Sequence, residues 1–492
     1  MSLPHPHPVF ALLEQDADRD AAHLFADLAS DYLVGTRDAT GPVSTALTPS
    51  EIARRFAEPL PNGAHELSAV AERVGRDVMS DMNRLAHPMY LGHQVSAPLP
   101  AMVWMETVIA AMNQSVAVWE MSPTATIVET QLIRWLCELA GWGAPAGGTF
   151  TSGGTEAIFT ALLAARAAAM PDAWENGVGA EPPVVVSGEH AHYAVTRAVA
   201  QLGMGVKRAI AVPSCDHRMD VDALVATLQR LAASGTRVMA VVATAGSTAT
   251  GSFDDIETIG SLCEERGIWF HVDGAHGASA LLSAEHRQRM RGVERARSLT
   301  WDAHKMMLAP LSGGMLLVRD ERDLERAFAQ AAPYLFNNSG RGEERGWDQG
   351  KRSFMCSRRT DALKVWVALQ RYGADGMAAI YDRLCATARA LHDEIEARDD
   401  FEALHEPESN ILCFRWLGDG SHDDAALDQL NRELRERYNR SGEGWITATV
   451  IDGRQVLRVT VMNPRSDREH VRRLLDGLAV EAASLEGVSQ GR

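Results

Sequence analysis

Lysine is scarce in this sequence, which shortens the search for a reactive primary amine. Of the 48 basic residues only four are lysines, and the one at position 305 ends the motif Asp302-Ala303-His304-Lys305. Apolar segments flank this motif, and a lysine beside apolar residues loses its proton more readily and can form a Schiff base. A structural lysine extending from a strand end is the alternative. The other three adjoin an arginine or lie in a predicted helix: Lys207, Lys351 and Lys364.

Three further groups could each bind part of one cofactor. The segment Thr151–Ala157 (TSGGTEA) precedes a predicted helix, and glycines at a helix N-terminus let a phosphate approach free N–H groups. Asp273 ends the apolar run 268–272, where a carboxylate can hold a protonated ring nitrogen. His192 follows another predicted strand, and its ring could stack on an aromatic cofactor. Taken singly, each has an ordinary alternative as a helix cap or a core histidine.

The four groups together indicate a pyridoxal phosphate site. In chain order they supply a phosphate-binding turn, a histidine that can stack on the cofactor ring, a carboxylate for the ring nitrogen and a lysine. This is the set of groups that the cofactor needs. We expect all four at strand ends of one sheet. Metal binding is the rival interpretation for His190 and His192, but no Cys or further His lies at ligand spacing.

The elements that position these residues are typical of an α/β domain between about residues 148 and 320. Short apolar strands alternate with helices, which predicts right-handed crossovers and a mostly parallel sheet with both faces covered. The predicted strands are 183–187, 208–212, 237–243, 268–272, 298–301 and 314–318. The predicted helices are 155–170, 192–202, 221–233, 254–266 and 320–331.

The flanking segments predict further parts of the fold. Residues 101–121 and 124–140 are typical of helices, and the polar stretch 341–359 predicts a mobile surface loop. Three alternating segments near the C-terminus predict antiparallel strands at 410–416, 445–451 and 455–462, with helices at 424–438 and 467–484. The expected division is a helical N-terminal segment (1–85), a large cofactor-binding domain (86–372) and a smaller α+β domain (373–492).

Composition and charge argue against several classes of protein. Apolar residues make up 46% and charged residues 23% of the 492 residues, as in globular proteins of two or three domains. The net charge of −17 disfavours binding to nucleic acid or to anionic lipid. Six scattered cysteines predict reduced thiols and a cytoplasmic location. We find no signal peptide and no apolar run of 18 residues, so no membrane span is predicted.

With these motifs in order, the sequence resembles the group II pyridoxal-phosphate-dependent amino acid decarboxylases. That family includes glutamate, cysteine sulfinate, aromatic amino acid and 2,4-diaminobutyrate decarboxylases, and the likeness extends from about residue 87 to residue 478. The motifs that carry it are His87-Pro88, Asn113-Gln114, Ser122-Pro123, Thr151–Ala157, Ala191-His192-Tyr193, Ala243–Gly251, His271–Ala275, Asp302–Lys305, Arg358–Trp366 and Leu457-Arg458.

The resemblance implies the aspartate-aminotransferase fold (fold type I), pyridoxal 5'-phosphate as cofactor, and a homodimer with its active site at the subunit interface. Lys305 would form the Schiff base, Asp273 would pair with the pyridine nitrogen, and His192 would stack on the ring and assist proton transfer. The remaining cofactor contacts would be Ala275 under the ring, Thr248 at the phenolic oxygen, and Gly154, Thr155, Ser298 and His304 around the phosphate.

The resemblance also assigns residues to the substrate and to proton transfer. Arg458 matches the arginine that binds a substrate carboxylate in glutamate decarboxylases, and Asn113 is assigned to the substrate as well. Tyr334 matches a mobile-loop tyrosine that protonates the substrate carbon at the partner subunit's site, and its hydroxyl favours plain decarboxylation over oxidative deamination. The alternatives are a packed loop aromatic for Tyr334 and a structural strand arginine for Arg458.

The sequence departs from the family pattern at a few positions. His276 stands where many members have an aromatic residue, and it either faces the site or caps the next helix. Ile158 replaces a usual Asn, and Gly313-Gly314 replaces a more polar pair. These departures bear on the substrate more than on the cofactor.

The expected function is therefore decarboxylation of an L-amino acid to an amine and CO₂, with a slight preference for an acidic substrate. Rivals on the same fold are an aldehyde-forming oxidase, an aminotransferase and a carbon–carbon lyase. A non-catalytic protein that kept the fold is a rival of another class. The presence of Lys305, Asp273 and His192 speaks against it, because packing alone needs none of the three.

Overall fold

The computed structural model describes residues 7–45, 47–330, 332, 335–336, 346–418, 420 and 422–489. Within these ranges no helix has the length and continuous apolarity that a bilayer span requires. The α-helices are α1 (Val9–Asp16), α2 (Arg19–Arg37), α3 (Pro49–Arg55), α4 (Leu67–Arg73), α5 (Pro100–Met112), α6 (Pro123–Leu139), α7 (Gly154–Ala169), α8 (Ala173–Asn176), α9 (Ala194–Gln201), α10 (Val221–Ala233), α11 (Ile256–Arg266), α12 (Arg322–Ala327), α13 (Ala362–Glu396), α14 (Asp424–Ser441) and α15 (Arg468–Ser489). The strands are β1 (Gly147–Thr151), β2 (Val184–Gly188), β3 (Ala209–Val212), β4 (Ser214–Cys215), β5 (Arg218–Met219), β6 (Val238–Thr244), β7 (Trp269–Asp273), β8 (Ser298–Asp302), β9 (Gly314–Val318), β10 (Phe401–Ala403), β11 (Ile411–Trp416), β12 (Thr447–Ile451) and β13 (Arg454–Thr460).

A seven-stranded sheet forms the centre of the fold, with the strand order β1-β9-β8-β7-β6-β2-β3. Strands β8, β7, β6, β2 and β3 are parallel to one another, and β9 is antiparallel to both β1 and β8. All residues of β2, β7, β8 and β9 are buried, as expected for a sheet with both faces covered. The predicted α/β class with a mostly parallel sheet is confirmed.

Alternate residues of the central strands pack against helices on opposite faces. In β2, Val184 and Val186 belong to the apolar cluster that includes Leu132 of α6 and Cys263 of α11. Val185, which lies between them, packs in a second cluster with side chains of α7 and α9. Because the parallel strands all end at one edge of the sheet, the residues that follow them meet at that edge.

A separate four-stranded antiparallel sheet, β10-β11-β13-β12, lies in the C-terminal part of the chain. Helix α14 packs against β13, and α13 and α14 both pack against α15. Helix α13 is broken at Gly373, where φ is 69° and ψ is 170°. The expected boundary between residues 372 and 373 falls at this break, and the three-part division stays a prediction.

Strand β1 is not predicted by the sequence pattern, because the pair Gly147-Gly148 is typical of a loop. The structure gives a packing reason for the second glycine. A Cβ at position 148 would overlap the carbonyl oxygen of Leu316 on the neighbouring strand β9. Glycine is therefore needed here for the close approach of two backbones, not for a turn.

Two predicted segments differ from the structure. Helix α5 ends at Met112 and not at Met121, because Asn113 adopts the left-handed conformation (φ 46°, ψ 39°) that ends helices. Residues 341–345 of the predicted mobile loop 341–359 lie outside the described ranges, and the C-terminal half of this loop has buried as well as exposed side chains, while its mobility stays a prediction. Arg358 is only 3% exposed, and its guanidinium pairs with the buried carboxylate of Glu129. The side chain of Arg358 is therefore part of the protein interior and is not a solvent-exposed loop residue.

Candidate active site

A cavity of about 410 Å³ lies at the carboxyl ends of β2, β6, β7 and β8. This is the edge at which parallel α/β sheets bind their ligands. Eight of the residues predicted for the site line the cavity: Gly154, Thr155, His192, Thr248, Asp273, Ala275, His304 and Lys305. The fold thus gathers side chains from several strand ends around one space.

Asp273 is the last residue of β7 and is 5% exposed. Its Oδ1 accepts the backbone N–H of Ala275 at 3.2 Å. Its other carboxylate oxygen forms no hydrogen bond with any residue that the structure describes. The alternative role as a helix cap does not hold, because the next helical turn begins at Gly277. One oxygen of Asp273 therefore stays available for a ligand in the cavity.

His192 lies in the turn between β2 and α9. Its Nδ1 accepts the backbone N–H of Ala194 at 3.3 Å, so the neutral ring carries its proton on Nε2. Burial lowers the pKa of His192, and the nearby carboxylate of Asp273 opposes this effect. The ring is therefore mostly neutral at pH 7 and keeps one N–H donor.

Lys305 reaches the cavity from the turn after β8. Its Nζ lies 3.6 Å from Oδ2 of Asp302, and Nε2 of His304 lies 3.4 Å from the same oxygen. Both distances are longer than a normal hydrogen bond. The side chain of Lys305 is 17% exposed, and it forms no hydrogen bond within the described residues. The amine is thus held near a carboxylate without being locked to it.

Asp302 is a site residue that the sequence argument did not assign. It is the last residue of β8, it is 2% exposed, and it lines the cavity. Its Oδ1 is enclosed and has no hydrogen-bond partner within the described residues. Asp273 is predicted as a site residue because it is a carboxylate at the end of an apolar strand. The same pattern could have identified Asp302.

The turn between β1 and α7 lies close to Asp302 and Ala275, and glycine at position 154 allows this approach. A Cβ on Gly154 would lie 3.0 Å from Oδ2 of Asp302 and 3.1 Å from the Cβ of Ala275. The first turn of α7 offers N–H groups that have no partner within the helix, and Thr155 of this turn lines the cavity. The hydroxyl of Ser152, in contrast, donates to Oε2 of Glu156 at 2.6 Å and is already used.

His276 lines the cavity, and although it occupies the N-cap position of the turn Gly277–Leu282, its side chain forms no capping hydrogen bond. Its Nε2 lies 2.6 Å from Oδ1 of Asn410, whose Nδ2 donates to the carbonyl oxygen of Val461 at 2.7 Å. The second bond sets the orientation of the amide, so Nε2 of His276 is the donor of the first. Burial and the charge of Lys305 lower the pKa of His276 to about 3.

Arg458 lies on β13 and is not among the residues that line the cavity. Its Nη1 donates to the carbonyl oxygen of Thr248 at 2.7 Å, and the residue is 7% exposed. Burial lowers the pKa of this guanidinium. The structure therefore places the arginine that was predicted to bind substrate behind Thr248, one residue away from the cavity.

Two other predicted site residues, Ser298 and Asn113, are not brought to the cavity. The prediction for Ser298 is wrong, because this residue begins β8 at the opposite end of the strand from Lys305, and its Oγ binds Nε1 of Trp269 and Nδ1 of His271, each at 2.8 Å. Asn113 is exposed at the end of α5 and does not line the cavity of this chain. Tyr334 lies outside the described residues.

A second lysine cluster lies beside the cavity, on the motif Arg358–Trp366. The Nζ of Lys364 is fully buried and contacts the carboxylate of Glu106, the carbonyl oxygen of Ser312, and Oδ1 of Asp361 at 3.2 Å. Leu311, which precedes Ser312, lines the cavity. Lys364 thus anchors the backbone that forms one wall of the site.

Comparison with known proteins identifies the family. Residues 49–417 match the pyridoxal-dependent decarboxylase conserved domain. The chain is 34% identical over 431 residues to an L-2,4-diaminobutyrate decarboxylase of Rhizobium meliloti (87% of this chain, 85% of the relative). It is 32% identical over 377 residues to the acidic amino acid decarboxylase GADL1 of Bos taurus (74% and 72%).

A solved structure shows the same architecture. The glutamate decarboxylase domain of diaminobutyrate-pyruvate transaminase and L-2,4-diaminobutyrate decarboxylase from Vibrio parahaemolyticus superposes with a TM-score of 0.82 at 29% identity, over 94% of this chain and 96% of that one. The chain belongs to the pyridoxal-dependent decarboxylase family and is a pyridoxal-phosphate-dependent amino acid decarboxylase. The predictions of fold type I, of pyridoxal 5'-phosphate as cofactor and of amino acid decarboxylation are confirmed. The alternative of a non-catalytic protein with this fold is rejected.

The cavity residues fit the cofactor of this family. The glycine-containing turn at the start of α7 suits a phosphate, because it lines the cavity and the helix N-terminus offers free N–H groups there. The unpaired oxygen of Asp273 suits a protonated ring nitrogen. The loosely held amine of Lys305 suits covalent attachment. No other lysine lines this cavity among the described residues.

Proposed function

We propose that Lys305, Asp273 and His192 carry out the decarboxylation of an L-amino acid in this cavity. The observation that carries the proposal is the environment of Lys305, whose amine faces the cavity with one carboxylate at 3.6 Å. A neighbouring carboxylate at this distance can take part in proton transfer without binding the amine tightly. Lys305 would attach the cofactor and release it to the incoming substrate amine.

The other cavity residues would hold the cofactor and move protons. Pyridoxal phosphate, when bound, supplies the electron sink that accepts the bonding pair as CO₂ leaves. The free oxygen of Asp273 would keep the ring nitrogen protonated, and Ala275 and His192 would lie on either side of the ring. Thr248 would bind the phenolic oxygen. Gly154, Thr155 and His304 would surround the phosphate.

Two donors are proposed for the proton that replaces the lost carboxylate. The first is the hydroxyl of Tyr334, which the family resemblance assigns to this step. The second is Nε2–H of His192, whose tautomer is set by its bond to Ala194. A tyrosine at position 334 supports an amine product, whereas its loss would favour an aldehyde.

For the substrate we propose a short diamino acid, with L-2,4-diaminobutyrate as the first candidate. Two relatives with that name are 34% and 32% identical over more than four fifths of this chain. With Asp273 assigned to the ring nitrogen, the described cavity residues keep one further carboxylate, Asp302, and include no arginine. A lining of this kind suits an ammonium side chain better than a second carboxylate.

An acidic amino acid is the second candidate, as the sequence argument preferred. Arg458 supports it, because this guanidinium lies directly behind Thr248 and its Nε is enclosed without a partner in the described residues. The GADL1 relative is named for acidic amino acids. A shift of Thr248 would bring Arg458 to the substrate.

We further propose a cytoplasmic homodimer in which the partner subunit completes the site. The exposed face of α5 supports this arrangement, because Trp104, Val108 and Met112 are apolar and between 42% and 47% exposed. Asn113 follows this face directly, so its predicted contact with substrate would be made in the partner's site. The described cysteines are all free thiols, in keeping with a reducing compartment.

A decarboxylation screen tests the proposal. We expect CO₂ and 1,3-diaminopropane from L-2,4-diaminobutyrate, and much slower release from L-glutamate, L-aspartate and cysteine sulfinate. Activity confined to the acidic substrates would reject the diamino proposal and support the second candidate. The Arg458→Lys variant distinguishes them further, because a direct contact would raise KM for acidic substrates only.

The Tyr334→Phe variant tests the proton donor in the same screen. We expect slower amine formation, with aldehyde and peroxide as new products in air. If this variant forms amine at the wild-type rate, Tyr334 is not the donor. The variant His192→Gln then becomes the decisive comparison, because it removes the second proposed donor.

A further inference from the structure

Outside the cavity, a group of three potential metal ligands joins two distant parts of the chain. Glu285 and His286 lie just after the helical turn Gly277–Leu282, which begins at the wall of the active site. Asp382 lies in the middle of α13. One donor atom from each of these residues lies within 4.8 Å of the other two, and this is the one such group within the described residues.

The histidine of this group is enclosed and aimed at the two carboxylates. His286 is 4% exposed, and its Nε2 has no hydrogen-bond partner within the described residues. That nitrogen lies 3.5 Å from Oε1 of Glu285 and 3.9 Å from Oδ1 of Asp382. The rings of His286 and Tyr381 pack in a T-shaped arrangement, with centroids 5.5 Å apart. The nitrogen therefore points at two oxygens without bonding to either.

The distances match the size of a metal ion better than that of a hydrogen bond. Hydrogen bonds from nitrogen to oxygen span about 2.7–3.2 Å. Two ligands at tetrahedral angles around a zinc ion, each about 2.0–2.2 Å from the metal, are about 3.3–3.6 Å apart. The 3.5 Å separation between Nε2 of His286 and Oε1 of Glu285 falls in this range, and the 3.9 Å separation to Oδ1 of Asp382 lies just above it.

The groups that already contact the carboxylates of Glu285 and Asp382 would compete only weakly with a metal ion for these oxygens. Arg389 donates to Oε1 of Glu285 at 2.9 Å, but both side chains are largely exposed, and such pairs contribute little. Ser283 donates its hydroxyl to Oδ1 of Asp382. A hydroxyl bonded to a ligating carboxylate is the usual second partner of a metal ligand, and it orients the carboxylate toward the ion.

We propose that Glu285, His286 and Asp382 bind one divalent transition-metal ion, with Zn²⁺ as the preferred ion and water at the remaining position. One imidazole nitrogen and two carboxylate oxygens form a ligand set that zinc accepts. The ion would tie the segment that follows the cavity wall to α13. No such role is needed for the decarboxylation chemistry, so the site is structural.

Zinc titration of the full-length holoenzyme tests this proposal. The enzyme is first dialysed against EDTA, and binding is measured by competition with a zinc-sensitive dye. We expect one Zn²⁺ per chain, and at least tenfold weaker binding in Glu285→Gln and in Asp382→Asn. The control is Glu264→Gln, which removes an equally exposed acid that also pairs with an arginine (60% exposed against 59% for Glu285). Its zinc affinity should equal that of wild type.

Two outcomes would overturn the proposal. The first is the absence of saturable zinc binding to the wild-type enzyme at micromolar concentration. The second is equal zinc affinity for wild type, Glu285→Gln and Asp382→Asn. Because Glu285 is exposed, its amide variant should fold normally, and thermal denaturation in EDTA checks this. Zinc should raise the melting temperature of wild type and of Glu264→Gln but not that of the two ligand variants.

Discussion

Two lysines close to one another illustrate two opposite uses of the same side chain. Lys305 lies at the cavity with a single carboxylate 3.6 Å away. Lys364 is fully buried and is held by Glu106, Asp361 and the carbonyl oxygen of Ser312. Both lysines follow an aspartate by three residues, at Asp302 and Asp361, so local spacing does not distinguish them.

The difference lies in how completely the surroundings satisfy each ammonium group. The ammonium of Lys364 bonds to Glu106 and to the carbonyl oxygen of Ser312 and lies 3.2 Å from Oδ1 of Asp361, so moving this buried side chain away is unfavourable. Lys305 has no hydrogen bond within the described residues, and its neighbours His192, His276 and His304 have pKa values that burial lowers. An amine in the second setting is free to react, and an amine in the first stabilises the fold.

The largest effect is expected from removing the reactive amine. Lys305→Ala should lower decarboxylation by more than about 1000-fold, because both attachment and proton transfer depend on Nζ. Borohydride reduction should fix pyridoxal to wild type and not to the variant. Lys351→Ala is the matched control, since this lysine is 38% exposed, pairs with Asp348 and lies over the ring of Phe336, away from the cavity. Label that remains on the Lys305 variant would contradict the assignment.

The second largest effect is expected from Lys364→Met, which should lower the free energy of unfolding by about 3 kcal/mol. The substitution leaves two carboxylates without their buried cation, and breaking such a cluster costs several times more than losing a surface pair. Denaturation in urea measures the change. Lys351→Met should cost no more than about 0.5 kcal/mol. Equal losses for both variants would show that Lys364 has no special structural role.

A smaller effect is expected from Glu106→Gln, at about 1–2 kcal/mol. This variant keeps Asp361 and the carbonyl of Ser312 as partners of Lys364, so its charge stays partly compensated. Glu106 also pairs with Arg359, which contributes to the loss. A value equal to that of Lys364→Met would mean that Glu106 is the only partner that matters.

The pH dependence of the free energy of unfolding should differ between variants at the cavity and variants in the Lys364 cluster. The pKa of His276 is lowered to about 3 and that of His271 to about 4, both mainly by burial, whereas an unfolded chain has a histidine pKa near 6.5. As the pH falls below about 6.5, these histidines bind protons in the unfolded state but stay neutral in the folded state. The free energy of unfolding therefore decreases as the pH falls. Each buried histidine contributes at most about 1.4 kcal/mol per pH unit.

Urea denaturation between pH 7 and pH 5 measures this slope. His276→Gln should flatten it by the contribution of one histidine, because glutamine does not titrate. Glu106→Gln lies in the Lys364 cluster, which contains no histidine. This variant should leave the slope of the free energy of unfolding against pH nearly unchanged below pH 6.5. If His276→Gln retains the full wild-type slope, the neutral ring beside Lys305 is not a source of the acid sensitivity.

Much of the fold could be predicted because its signals are local. Buried parallel strands are nearly continuous apolar runs, and the six predicted strands of the central sheet match β2, β3, β6, β7, β8 and β9 closely. Strand β1 was missed because its glycines serve a backbone contact with Leu316, which is distant in sequence. The end of α5 was misjudged because the left-handed conformation of Asn113 is a single-residue event.

The sequence alone determined the chemistry of the site, because residue type and order suffice for it. A lysine, an aspartate at a strand end, a histidine and a glycine turn have few joint uses, and their spacing placed them on one edge of a sheet. Only the tertiary structure decided which groups are available. The hydroxyl of Ser298 bonds to Trp269, one nitrogen of Arg458 bonds to the carbonyl oxygen of Thr248, and Asp302 stands beside Lys305. Those distances depend on how strands and domains pack, which no local pattern contains.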